Sequence, residues 1–193
     1  DAMILEGLVT TLNPDGGVNL APQGPLVSGD LTRFTFRPFA TSTTYANLKR
    51  ARCGVFHVVD DVLLIARFAL GDDRPLPRMR PAVIVPGQVL VDCCRWYEFS
   101  IDNIDESGER PVFEAQVVHA ERIRDSLGFN RARNAVIEAT ILATRLHLTG
   151  RDAVQTELKR LRPLVEKTGG PVEHEAFEFV SRYVESWTPS QMD

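Results

Sequence analysis

Turn-forming clusters fall so close together in the N-terminal part of this chain that the runs between them are too short for helices. Residues 3–12 (MILEGLVTTL), rich in Ile, Leu, Val and Thr, stop at Asn13-Pro14-Asp15-Gly16-Gly17. Residues 18–27 (VNLAPQGPLV) are extended again and stop at Ser28-Gly29-Asp30. Residues 31–39 then alternate, with Phe34 and Phe36 on one face and Thr35 and Arg37 on the other. Extended runs joined this tightly pair antiparallel. Pro22 and Pro25 add a second constraint, because proline supplies no ladder donor and is expelled from central strands. The second strand must therefore lie at an edge or carry a bulge. A bulge would leave backbone groups free for a ligand, and an edge would use the prolines against aggregation.

The hydroxyl cluster Ser42-Thr43-Thr44 follows Arg37 and opens a short helix expected over 43–50. A helix N-terminus presents unpaired N–H groups and a partial positive charge, which suit a phosphate. An ordinary Ser or Thr N-cap is the alternative, as is an Arg37 paired with a carboxylate in solvent.

Further extended runs fall at 51–59, 93–103 and 111–121, the last two around Glu106-Ser107-Gly108. The total is about six strands, which suggests a small antiparallel barrel. Asp60-Asp61 is placed to cap a helical turn through Leu64, Ile65, Phe68 and Leu70. Residues 71–86 hold four prolines with Arg74, Arg78 and Arg80 and read as an irregular surface loop, its arginines solvated or covering a ligand. After Gly128 the period changes. Ala132, Ala135, Val136, Ala139, Leu142, Ala143 and Leu146 mark one helical stripe over 130–147, and Val154, Leu158, Leu161 and Val165 mark a second. Ala176, Phe177, Val180, Val184 and Trp187 mark a third. Asp152 with Gln155 reads as a capping box, and Gly169-Gly170-Pro171 stops one helix and starts the next. The fold class expected is α+β: a mainly antiparallel barrel over 1–127 and a three-helix extension over 128–193.

Composition removes several functions. A net charge of −4 argues against a general nucleic-acid binder, and no apolar run reaches the ~18 residues of a membrane span. No basic-then-apolar leader pattern opens the chain. Three cysteines, Cys53, Cys93 and Cys94, make a poor disulfide framework and suit a reducing cytoplasm. His57, His119, His147 and His174 show no zinc spacing, so no metal is expected.

The segment VTTLNPDGGVNLAPQGPLV (9–27), followed by STTYANL (42–48), resembles the FMN-binding split barrels of the flavin-reductase-like group. Residues 129–142, FNRARNAVIEATIL, are similar to the C-terminal helical segment of an uncharacterised prokaryotic branch of that group, which also carries RPF-x-x-STT-x-x-NL. The resemblance implies a split β-barrel of the FMN-binding type and FMN as cofactor. It implies that Ser42, Thr43 and Thr44, with Asn47 one turn on, lie near the FMN phosphate, and that Arg37 is its charge partner. It further implies that Ala21, Pro22, Gln23 and Gly24 run along the isoalloxazine edge, where Gly24 permits close approach. Thr43 stands where many relatives carry an acid, and Gln23 where many carry an apolar or aromatic residue. A homodimer with the flavin near the subunit interface is also implied. Trp96 and Tyr97 either flank a ring there or pack in the core.

No GxSxG, P-loop or Cys–His arrangement for covalent catalysis is present, which fits a protein whose cofactor carries the chemistry. No catalytic side chain is identified. The expected activity is an FMN-dependent oxidoreductase passing hydride or electrons to a small acceptor. The alternative is a non-catalytic FMN-binding or electron-carrier protein.

Overall fold

The computed structural model describes residues 2–72 and 75–189. They fall into two compact units, bounded as Asp1–Val59 with Pro75–Ser126, and Asp60–Arg74 with Leu127–Asp193. The segment 60–74, which the sequence reading kept with the barrel, thus belongs to the second unit.

The first unit is one eight-stranded antiparallel sheet, and its order follows from two bends. The run at 3–12 breaks into β1 (Ala2–Ile4) and β2 (Gly7–Leu12). The run at 18–27 breaks at Gly24-Pro25 into β3 (Val18–Gln23) and β4 (Leu26–Ser28). β1 pairs with β4 and β2 with β3, so one bent ribbon supplies both edges of the sheet. Between them lie β5 (Arg33–Phe36), β10 (Val112–Arg122), β9 (Arg95–Asp105) and β6 (Cys53–Val58), giving the order β1-β4-β5-β10-β9-β6-β2-β3. Leu5 N–H donates to the Pro25 carbonyl (3.1 Å) where the ribbon bends. At Gly7 a Cβ would lie 2.4 Å from the His57 carbonyl oxygen, so only glycine allows the strands to approach there. β3 is an edge strand, as Pro22 requires. The result is a curled split barrel filled by Val9, Val27, Phe34, Phe36, Phe56, Phe99 and Phe113. Trp96 and Tyr97 are both buried. Helix α1 (Thr43–Ala51) joins β5 to β6 and buries Leu48 in the same core.

The outer face of β2, β6 and β9 carries a hairpin where an irregular surface loop is expected from the prolines of 71–86. β7 (Met79–Pro81) pairs with β8 (Gln88–Leu90). Three buried polar side chains hold it. Thr10 Oγ1 donates to the Gln88 carbonyl (2.6 Å), and Leu90 N–H donates to His57 Nε2 (3.1 Å). The Glu98 carboxylate accepts from the N–H groups of Val83 (3.0 Å), Ile84 (2.6 Å) and Val85 (3.0 Å) and from the Trp96 indole (3.0 Å). Arg78 precedes β7 and Arg80 lies within it, over the Trp96 ring, while Arg74 lies outside the described residues. The ten strands exceed the six expected because two runs bend and this hairpin is held by residues distant in sequence.

The second unit is helical. Asp61 caps α2 (Val62–Ala69) by accepting from Leu64 N–H (3.0 Å). It packs with α3 (Arg131–Thr144), α5 (Arg151–Thr168) and α6 (Pro171–Ser186) around Val62, Ala66, Ala135, Ala139, Leu158 and Phe177. The first expected helix ends at Arg145, where ψ of 16° breaks it, and one further turn, α4 (Leu146–Thr149), follows. The cap of α5 is Gly150, without a side-chain hydrogen bond, and Asp152 sits in its first turn rather than capping it. Pro171 opens α6, where the Glu173 carboxylate reaches back to Gly170 N–H (2.9 Å) and accepts from Arg133 Nε (3.0 Å). No helix among the described residues is long and apolar enough to cross a membrane.

Candidate functional site

The site is built where β5 ends and α1 begins. Ser42 is the N-cap of α1: its Oγ accepts from Tyr45 N–H (3.1 Å) and donates to the Phe39 carbonyl (2.7 Å). Thr44 and Asn47 turn inward and are 2% and 1% exposed. Thr44 Oγ1 accepts from Asn19 Nδ2 (3.1 Å). Asn47 Nδ2 donates to Thr11 Oγ1 (3.0 Å) and Asn13 Oδ1 (2.9 Å), and its Oδ1 accepts from Arg50 (3.0 Å). A polar network of Thr11, Asn13, Asn19, Thr44, Asn47 and Arg50 therefore locks α1 onto the β2–β3 hairpin. Thr11, Asn13, Asn19 and Arg50 were not singled out from sequence. Thr11, Asn13 and Asn19 fall within the 9–27 segment that carries the family resemblance, whereas nothing local marks Arg50.

With those groups engaged, the corner offers a different donor set. Thr43 is exposed, and the N–H groups of Thr43 and Thr44 begin the helix without intrahelical acceptors. Arg37 lies one residue beyond β5, exposed, and its guanidinium meets no carboxylate among the described residues. Ala21, Pro22 and Gln23 are half-buried at the free edge of β3, and Gly24 is exposed at the bend. Asn19 and Ala21 share a strand face, so the face that meets Thr44 continues toward Ala21 and Gln23. The ladder of β4 and β5 ends where Leu26 pairs with Thr35, two residues before Arg37. A Cβ on Gly24 would come within 2.9 Å of Glu6 Oε2, the end of a flexible side chain that would have to swing aside.

The β9–β10 turn closes one side of this corner. Glu106 accepts from Lys49 Nζ (2.9 Å) and from the Tyr45 hydroxyl, tying the turn to α1. The Tyr45 and Lys49 hydrogen bonds hold the Glu106 carboxyl below its usual value, and Glu106 raises Lys49 in return. Arg110 Nη2 donates to the Arg37 carbonyl (2.6 Å), and its guanidinium lies 4.2 Å from the centroid of the Phe39 ring. Nothing local in the sequence joined Arg110 to this site.

Several solved structures resemble this chain. An FMN-bound protein of the DUF447 family from Methanosarcina mazei matches with a TM-score of 0.80 and 27% identity, covering 93% of this chain and 94% of that one. The 2-nitrobenzoate 2-nitroreductase of Pseudomonas fluorescens matches with a TM-score of 0.51 and 18% identity over 61% of this chain and 64% of its own. The flavin reductase of the styrene monooxygenase from Pseudomonas putida gives 0.53 and 15% over 64% and 83%. At such identities the last two share the fold alone. No protein of curated function matches the sequence. The family described as "Protein of unknown function (DUF447) N-terminal domain" matches residues 5–124, and its C-terminal counterpart matches 130–182. Matched over more than half its length and carrying the flavin-reductase-like split barrel with C-terminal helices, the chain belongs to the DUF447 family.

Proposed function

We propose that this chain binds FMN at the β5–α1 corner and works as an FMN-dependent oxidoreductase that passes hydride or electrons to a small acceptor. The observation that carries the reading is the donor set at that corner: two helix N–H groups without intrahelical acceptors, the exposed Thr43 hydroxyl and an Arg37 guanidinium without a carboxylate partner among the described residues. Such a set fits a phosphate, since the helix end supplies N–H donors and a guanidinium can contact two oxygens at once. The side-chain-free bend at Gly24 and the open edge of β3 fit the approach of a flat ring to backbone groups. The FMN-bound relative from Methanosarcina mazei supports the same assignment. FMN, when bound, supplies the two-electron chemistry. In this reading Arg37 and Thr43 orient the phosphate, Ala21, Pro22, Gln23 and Gly24 border the ring, and Ser42, Thr44 and Asn47 hold the helix start in place.

We also propose a homodimer with the flavin near the subunit interface, because the corner lies open at the surface of one chain. Three buried cysteines, none of them in a disulfide among the described residues, support a reducing, cytoplasmic setting. A second reading, FMN held by a non-catalytic electron carrier, is favoured by the engagement of Ser42, Thr44 and Asn47 in structural bonds.

Purified protein tests both readings. The oxidoreductase reading expects a flavin absorption spectrum that bleaches rapidly with NADH or NADPH under anaerobic conditions. FMN that binds but is reduced by neither leaves the carrier. A protein that takes up no FMN in titration refutes both.

A further inference from the structure

The β9–β10 turn places a second cation where the flavin reading needs only one. Arg110 is anchored through its bond to the Arg37 carbonyl and its stacking on Phe39. Phe39 is 64% exposed and bears the carbonyl to which both Ser42 N–H (2.9 Å) and Ser42 Oγ (2.7 Å) donate. Arg110 is therefore coupled to the N-cap of α1 through a short chain of contacts. The turn that carries it is braced. Asp105 Oδ1 accepts from Ser107 N–H (2.9 Å) and Ser107 Oγ (2.6 Å), and Glu106 is held by Lys49 and Tyr45. Neither Arg37 nor Arg110 has a carboxylate partner among the described residues. By contrast, Arg33, Lys49, Arg67, Arg122 and Arg133 each have one. A guanidinium has five N–H donors, and one bond with one stacked face leaves most of them for a ligand.

We propose that Arg110 is a specificity-determining ligand of the flavin phosphate, acting beside Arg37 to select a terminal phosphate monoester. The proposal rests on the FMN reading above and adds a residue and a discrimination to it. A phosphate monoester carries between one and two negative charges near neutral pH and three open oxygens. Two guanidinium groups and two helix N–H groups match that charge and geometry. FAD offers phosphodiester groups with one charge each and a substituted oxygen, and riboflavin offers no phosphate.

The test is titration of the full chain with FMN, FAD and riboflavin, followed by flavin fluorescence at low and high salt. The wild-type protein should prefer FMN to FAD and FAD to riboflavin. Arg110→Ala should weaken FMN binding about tenfold or more while leaving riboflavin unchanged, and should flatten the salt dependence. Arg110→Lys should recover part of the loss, because charge returns without the planar fork. Equal weakening of FMN and riboflavin would mean that Arg110 only supports the fold, and unchanged FMN binding in Arg110→Ala would mean that it plays no part; either overturns the proposal. A wild-type protein that binds riboflavin as tightly as FMN overturns it too. If the wild-type protein binds no flavin at all, the FMN reading itself fails, and the inference goes with it.

Discussion

Residues of one short segment divide here between holding the fold and facing outward. Asn47 satisfies three partners from a position 1% exposed. Asn47→Ala would leave half-buried Asn13 Oδ1 without its donor and buried Thr11 Oγ1 with only the longer bond from Asn19 (3.5 Å). It should destabilise by about 1–3 kcal/mol, the cost of orphaned buried polar groups, as read from a urea midpoint. Arg37→Ala should do the opposite: stability within ~0.5 kcal/mol of wild type, FMN affinity lower by about 1.5–3 kcal/mol for a lost charge-assisted contact. Isothermal titration beside the urea curve separates the two. The sequence pointed to nine candidate residues but not to this division of labour. Ser42, Thr43 and Thr44 are equivalent as letters. Helical geometry decides that the first caps, the second faces solvent and the third turns in to Asn19. Arg110 was invisible because its link to Arg37 spans 73 residues.

At the scale of elements, the β7–β8 hairpin shows how a proline-rich stretch becomes ordered. Its tip has no ladder, and its N–H groups go instead to Glu98, a carboxylate on the barrel wall that is 0% exposed. Burial works to raise the Glu98 pKa. The three N–H groups and the Trp96 indole outweigh it and keep it below the usual value. Glu98→Gln replaces one acceptor oxygen by a donor. It should therefore speed amide hydrogen exchange at residues 83–85 and cost about 1–3 kcal/mol. His57 gives the same hairpin a pH dependence. Burial pushes its pKa from 6.5 down to about 4, partly opposed by the Leu8 carbonyl. Its Nδ1–H donates to Leu8 (3.1 Å) and its Nε2 accepts from Leu90 N–H, so a second proton would eject the Leu90 bond. The unfolded chain binds the proton first. The stability is therefore fully present above about pH 6.5 and is lost as pH falls toward 4, to a total of about 3 kcal/mol. Urea midpoints across that window should drop more steeply for wild type than for His57→Leu, which keeps only the share of the carboxylates. Local periodicity revealed the core strands and the helix stripes because burial repeats every two or 3.6 residues. It missed this hairpin because the partners Thr10, His57 and Glu98 come from three separate strands.

On the scale of the whole molecule, the helical unit is discontinuous in sequence. α2 precedes β9 and β10 of the barrel, yet Val62 and Ala66 lie in a core shared with α3, α5 and α6. The change of period at Gly128 marked where the longer part of that unit begins, but one amphipathic turn of sequence at 62–70 could not announce its partners. A chain ended at residue 126 should therefore expose the apolar face of α2. It should show lower solubility and stronger binding of a hydrophobic dye than the full chain, as size-exclusion chromatography and dye fluorescence would record.

The lock between α1 and the first hairpin bears on how members of the family are recognised. Thr11, Asn19, Thr44 and Asn47 lie in the most recognisable stretches of the sequence, and each spends its side chain on another part of the same molecule. A relative that had abandoned its prosthetic group would still need these letters to stay folded. Searches keyed to them will retrieve the architecture whether or not a pigment is present; colour should instead track the outward-facing positions 37, 43 and 110.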